Sequence, residues 1–234
     1  MNKIKNGALL IILSILFSSC GKNVVKPSVP IKKVAVVQFS VSDYGGMVEA
    51  QGLGSESGAV LMQSQLNQLL IETEKSMAKL WSVKNSDGFA SNSKYLSISI
   101  ENPHHNVYVP YKGNGAMPIF MSHSDLKQGM VPPQVAMDIC DALGVDAIVF
   151  VFSEWALKTG GFIPTTKALT KNVFSMWDKN GNLIAWQRAN KMGQRTLGVG
   201  RLVFVNRDTI GQWSDAYLEA LDMILANPEI QSIQ

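Results

Sequence analysis

The hydrophobic pattern changes period several times along the chain, and each change marks an element. Lys33-Val34-Ala35-Val36-Val37-Gln38-Phe39-Ser40-Val41 is rich in β-branched residues and predicts a first strand. From Ala59 to Trp81, Met62, Leu66, Leu69, Met77 and Leu80 recur at spacings of three and four, with Thr73 filling the gap. That spacing predicts one helix with a single apolar face. Its opposite side carries Gln63, Gln65, Asn67, Glu74 and Lys75.

Order weakens between Lys84 and Met130. Leu96-Ser97-Ile98-Ser99-Ile100 alternates and predicts a strand, with Val107-Tyr108-Val109 as its short partner. Pro103, Pro110, Gly113, Gly115 and Pro118 divide the rest into loops. Pro132-Pro133 suits the first turn of a helix whose apolar side is Val135, Ile139, Ala142 and Leu143, with Gly144 placed to end it. Ala147-Ile148-Val149-Phe150-Val151-Phe152 is apolar on both faces, the signature of a strand buried between layers. Val173–Trp177 and Leu183–Trp186 flank an Asn180-Gly181 turn and predict a hairpin. A last helix over Thr209–Ala226 presents Trp213, Tyr217, Ala220, Leu221 and Ile224 and stops at Asn227-Pro228. The order strand, helix, strand, helix, buried strand, hairpin, helix gives an α/β domain over 33–234. Its mixed sheet is sandwiched by helices and carries an irregular insertion at 84–130.

The first residues follow a different logic. Lys3 and Lys5 precede a run of about eleven residues, Gly7–Phe17, that is apolar except for Ser14, and Ser18-Ser19 leads into Cys20. A basic start, a short apolar core and a small-residue exit predict a secretory signal over 1–19. The core is shorter than the roughly twenty residues a spanning helix needs. The end of the run resembles the lipobox of bacterial lipoprotein precursors, although Phe17 stands where leucine is usual. That resemblance implies cleavage before Cys20 and acylation of its sulfur and amine. Several acyl chains would hold a soluble domain on a membrane, which one chain does only marginally. Residues 20–32, with Pro27 and Pro30, read as a lipidated tether.

Removing Lys3 and Lys5 lowers the formal charge from +3 to +1, and a near-neutral domain argues against nucleic acid as a partner. Cys20 and Cys140 are the only cysteines, so lipid on the first leaves no disulfide; Cys140 falls on the apolar side of its helix as a small hydrophobe.

Three pieces carry a wider resemblance: Lys33–Phe39, the Leu143-Gly144-Val145-Asp146-Ala147-Ile148-Val149 junction, and Trp177-Asp178-Lys179-Asn180-Gly181. In this order they resemble the domain of the TolB amino-terminal part, the curli-secretion-channel lipoproteins and the lipoprotein activators of penicillin-binding proteins. The resemblance implies a non-catalytic module that works by protein contact, with an envelope protein or itself, at the periplasmic face of the outer membrane. It supplies no catalytic residues and no cofactor. The chain departs from two members of that group: its tether is short, and its longest clean alternation, Leu96–Ile100, falls below the nine to eleven residues of a membrane-spanning strand.

The remaining chemistry is sparse. Gly52-Leu53-Gly54-Ser55-Glu56-Ser57-Gly58 lies about ten residues past the first strand, too far for a dinucleotide loop, and reads as a connector with Ser55 or Ser57 capping the helix. His104, His105 and His123 lie in the irregular region without metal-ligand spacing and read as loop residues. A hydrolase or metal site in 84–130 is the alternative they leave open, as is a subunit of a pore or secretion complex. Asp178, Asn180 and Asn182 start like a calcium loop, but Leu183 stands where glycine is needed, so the segment is a turn. The candidate contact surface combines Tyr108 and Tyr111 from the insertion with Trp155, Phe162 and Ile163 from a loop over Trp155–Thr166 around Gly160-Gly161.

Overall fold

A computed structural model describes residues 24–27, 29–43, 58–99, 106–113, 115–199 and 206–233. The signal segment, Cys20, most of the glycine-rich connector, Ile100, His104 and His105 lie outside the described residues.

The expected elements organise one sheet. Strand β1 (Lys33–Asp43) is followed by helix α1 (Gly58–Met77), the short strand β2 (Ser82–Val83), helix α2 (Ser93–Ser97) and the two-residue strands β3 (Val107–Tyr108), β4 (Tyr111–Lys112) and β5 (Gly115–Ala116). Then come α3 (His123–Leu126), α4 (Pro133–Leu143), the long strands β6 (Ala147–Gly160), β7 (Thr165–Asp178) and β8 (Leu183–Val199), and helices α5 (Arg207–Leu225) and α6 (Pro228–Gln231). The main sheet runs β2-β1-β6-β7-β8, and β3 pairs with β1. β1 is parallel to β2 and β6, while β6, β7 and β8 are successively antiparallel. This is the mixed, helix-flanked sheet that the pattern predicts. β6 is its centre, as the two-sided apolar run requires.

Helices α1 and α5 pack side by side on one face. Phe39 meets Tyr217 edge-on with ring centroids 5.3 Å apart, and the Tyr217 hydroxyl lies 2.8 Å from Thr73 Oγ1. Thr73 also donates to the Leu69 carbonyl at 2.7 Å, so a hydroxyl sits in this apolar stripe with its bonds made. α4 covers the other face and starts and ends as its sequence dictates. Pro133 opens it, and Gly144 ends it at φ 62°, a left-handed backbone that glycine adopts without strain. α5 begins with reciprocal bonds, Thr209 N–H donating to Asn206 Oδ1 at 2.9 Å and Asn206 N–H to Thr209 Oγ1 at 2.8 Å. The β7–β8 turn is held by Asp178 Oδ1, which accepts the Asn180 and Asn182 amides at 2.9 and 2.8 Å. Gly181 is at φ 77°, and a side chain there would come within 2.9 Å of the Pro133 carbonyl.

Four expectations need correction. First, the described part of the expected strand Leu96–Ile100 is not a strand: Leu96 and Ser97 end α2, which Asn92 caps by accepting the Tyr95 amide at 3.1 Å. The helix wins because Tyr95 reaches a core site. In β1, Val36 and Gln38 pair with consecutive residues of β6, so Val37 bulges from the ladder and its carbonyl accepts the Tyr95 hydroxyl. Val107 and Tyr108 accordingly pair with β1 and not with residues 96–100.

Second, part of the polar side of α1 is covered, while Lys75 on that side stays exposed. Glu74 is buried and accepts the Ser86 amide at 2.7 Å, Gln63 donates to the Val109 carbonyl at 3.1 Å, and Asn67 accepts the Tyr111 amide at 2.8 Å. The 84–130 segment therefore folds over the helix and contributes Phe89, Tyr95, Met117, Phe120 and Leu126 to the core.

Third, Trp155–Thr166 is not a loop. β6 continues to Gly160 and β7 starts at Thr165, so the predicted short hairpin is the base of a ribbon three strands wide.

Fourth, the expected tether is partly bound to the domain. Val25 N–H donates to the Leu183 carbonyl at 2.8 Å, Ile31 is buried, and its amide donates to the Ile233 carbonyl at 3.3 Å. Asp146 Oδ2 accepts the Lys32 and Lys33 amides at 3.2 and 2.9 Å and fixes the entry to β1.

Candidate interaction surface

The ribbon owes its length to side chains that alternate along it. Trp155, Leu157 and Thr159 turn toward α5; Glu154, Ala156 and Lys158 turn away from it. On the α5 side Trp155 stacks on Trp213, ring centroids 5.8 Å apart and 5° from parallel, and Trp213 Nε1 donates to the Ala156 carbonyl at 2.8 Å. Beneath the helix Ser153 donates to Asn172 Oδ1 at 2.6 Å. Asn172 Nδ2 donates in turn to Thr170 Oγ1 and to the Ala189 carbonyl, each at 3.0 Å. These buried polar groups are satisfied, which keeps β6, β7 and β8 in register under α5.

The opposite side of the ribbon is more open. Lys171 Nζ lies 2.5 Å and Lys127 Nζ 3.7 Å from the Glu154 carboxylate, which is mostly buried. Beyond this group toward the tip, Ala156 pairs with Leu169, Lys158 with Lys167, and Gly160 with Thr165. Gly161, at φ 97°, turns the chain at the end.

The five candidate contact residues do not form one surface. Phe162 and Ile163 are adjacent at the tip and 105% and 66% exposed. Trp155 is buried against Trp213 and offers no exposed contact area. Tyr108 is partly buried against the core. Tyr111 is 56% exposed, but its backbone is tied to α1. Val41 pairs with Tyr108 on one side and Ser153 on the other, so Tyr108 stands seven residues short of Gly160, about 23 Å at roughly 3.3 Å per residue.

Sequence reasoning missed the outer side of β8. The strand covers 17 residues, pairs with β7 on its inner side, and among the described residues has no strand beyond it. Only the extension of the neighbouring strand β7 carried a local signal: Thr165-Thr166-Lys167-Ala168-Leu169-Thr170-Lys171 is rich in threonine with apolar residues interspersed, as a half-covered strand should be.

Titratable groups with shifted equilibria lie elsewhere. Burial raises Glu74 above the ordinary carboxylate range, against the lowering effect of the Ser86 amide. Burial, helped by Asp178 and Asp146, pushes the Cys140 thiol up to about 12. Burial also raises Tyr95 and Tyr217. The Lys94 ammonium lowers Asp141, and hydrogen bonds from Lys191 and Gln194 lower Glu219. His123 lies in the first turn of α3, which Ser122 caps. Among the described residues no three His, Cys, Asp or Glu side chains come together as a metal site.

Fold and surface together define a class: an α/β domain with a helix-flanked mixed sheet, extended at one end into a three-stranded ribbon. No family model matches the sequence, and no curated protein does. Among solved structures, the hypothetical protein CT253 from Chlamydia trachomatis is 12% identical with a TM-score of 0.40, over 86% of this chain and 98% of that one. The lipoprotein GNA1162 from Neisseria meningitidis is 12% identical with a TM-score of 0.34, over 83% and 99%. A PelC dodecamer from Paraburkholderia phytofirmans is 12% identical with a TM-score of 0.31, over 92% and 94%. Likeness at this level assigns neither family nor function. No helix among the described residues is long and apolar enough to cross a membrane.

Proposed function

We propose that this chain is a lipoprotein of the bacterial cell envelope, cut before Cys20, anchored there by acyl chains, and working through protein contact instead of catalysis. The anchor rests on the basic, apolar and small-residue succession that ends at Cys20. The resemblance to the TolB and lipoprotein group favours the periplasmic face of the outer membrane.

The observation that carries the contact role is the outer edge of β8. Apart from Leu183, whose carbonyl takes the Val25 amide, this long strand has no strand on its outer side among the described residues, and such an edge is a template for strand addition by a partner. Exposed Arg188 on that strand, and the register shifts between β7 and β8, guard it against indiscriminate pairing. A second copy of the chain or another envelope protein with an acidic strand edge meets those requirements.

Photo-crosslinking residues introduced separately at the exposed positions Asn190 and Thr196 test this reading in intact envelopes. A discrete protein adduct from β8, absent when the same residue replaces exposed Gln134 on α4, is expected. Equal adduct patterns from both positions would remove the edge as the contact. For the anchor, Cys20→Ala should give an unprocessed precursor or a soluble product. Recovery of that variant in membranes at mature size would count against lipidation.

A further inference from the structure

The tip of the ribbon has a chemistry that strand addition does not use. Phe162 is fully and Ile163 largely exposed, and Val199 of β8, 61% exposed, pairs with Thr165 at the same end. Next to this apolar end, Lys158 and Lys167 stand directly opposite each other in the β6–β7 ladder. Like charges in that position destabilise a sheet. Among the described residues neither lysine has an ion-pair partner, whereas Lys171, four residues further from the tip, has Glu154. A pair of unneutralised cations behind an apolar point calls for an anionic surface with an apolar interior.

The spacing agrees with that. Lys158 precedes Gly160 by two residues, about 7 Å along a strand. Apolar groups of interfacial proteins sit about 5–10 Å into the boundary of headgroups and acyl chains, and lysine stems extend from there to the phosphates. A protein partner fits less well. An aromatic side chain contributes roughly 150–250 Å² and Ile163 less, whereas a stable protein interface takes about 800 Å² per partner. Protein hot spots also require a pocket shaped to receive them, which a fluid bilayer does not.

We propose that Phe162 and Ile163, with Lys158 and Lys167, form a lipid-contact site that inserts into the headgroup region of an anionic phospholipid bilayer. The site is separate from the β8 edge and needs no acyl group on Cys20. It is therefore tested on the mature chain, residues 20–234, carrying Cys20→Ser, so that failure of the anchor and failure of the tip are told apart.

The probe is sedimentation with vesicles of phosphatidylcholine alone and of phosphatidylcholine mixed with phosphatidylglycerol. The parent should bind the mixed vesicles at least tenfold more tightly than the neutral ones. Phe162→Ser with Ile163→Ser should weaken that binding at least tenfold. Lys158→Gln with Lys167→Gln should remove most of the preference for anionic lipid, roughly fivefold per lysine, and the two arginine replacements should restore it. Phe162→Trp should keep full affinity, and its added emission should be quenched by doxyl-labelled lipid. All four positions are at the surface end of the ribbon, so circular dichroism should match the parent throughout. If the parent stays in solution with anionic vesicles, or the serine pair binds as the parent does, the proposal is wrong. Loss of a captured protein in the serine pair, with no vesicle binding by the parent, assigns the tip to a protein and likewise overturns it.

Discussion

Val149→Ala tests the central position of β6 with a perturbation small enough to measure. Val149 is fully buried, pairs with Val36 of β1 on one side and Met176 of β7 on the other, and sits in the middle of the helix-flanked sheet. The substitution removes two methyl groups, about 1.6 kcal/mol of transfer free energy at roughly 0.8 kcal/mol each. The space left in a close-packed layer adds about 1 kcal/mol, since residual cavity costs roughly 24 cal/mol per Å³ and two methyls occupy about 45 Å³. The expected loss is about 2.5 kcal/mol, which for a domain of this size lowers Tm by about 5–10 °C. Urea unfolding followed by far-ultraviolet circular dichroism and by tryptophan fluorescence gives the number, with coincidence of the two transitions as the check on two-state behaviour. Val199→Ala is the internal control: the same atoms leave an exposed position, and the change should stay within about 0.5 kcal/mol. Val149→Asp, which buries an unpaired carboxyl, should cost several kcal/mol and abolish the fold. Equal, small effects of the two alanine variants would mean that β6 is not enclosed, and the topology argued from its two-sided apolar run would fall.

Glu74→Gln should change how stability depends on pH. Because burial raises the folded-state pKa above the ordinary carboxylate value, the folded protein holds that proton more tightly, and this contribution to stability is lost as pH rises through the raised value. The variant should therefore gain relative to the parent on going from acid to neutral pH; parallel urea midpoints for the two proteins across that range would refute the assignment. Cys140, with its thiol held near 12 in the core, should resist maleimide in the native protein at mildly alkaline pH and react fully in denaturant; rapid native labelling would place it at the surface.

How far the sequence revealed these features depended on which force decided each element. α1, α4 and α5 were legible because their apolar spacing and the boundary signals Pro133, Gly144 and Asn227-Pro228 are local. The centre of β6 was legible because a run without polar residues has one home in a layered domain. Leu96–Ile100 was misread because five alternating residues carry less weight than the Asn92 cap and the bond from Tyr95 to the bulged carbonyl of Val37, a contact 58 residues away in sequence. The buried position of Glu74 likewise depends on Ser86, which no helical period reveals. The upper half of the ribbon was missed because its one covering layer, α5, lies far downstream. Without it, Trp155 and Lys158 read as a loop and not as the two faces of one strand. Of the candidate surface, Phe162 and Ile163 were legible as apolar residues beside two glycines, whereas the exposed edge of β8 exists only once the strands are ordered.

The clasp at the start of the chain has a mechanical consequence. Val25 is bonded at the Leu183 end of β8, and the five-residue step from Cys20 to Val25 can span at most about 18 Å at roughly 3.5 Å per residue. The ribbon tip lies at the other end of β6, about 43 Å away at ~3.3 Å per residue over its 14 residues. A pull between the amino-terminal end and the tip runs along β6, β7 and β8, and the cross-strand bonds lie perpendicular to that axis. Such a load shears the ladders, so the bonds resist together, whereas a pull across the sheet at β8 would peel them apart one after another. The same domain is thus stiff along its length and yielding at its open side.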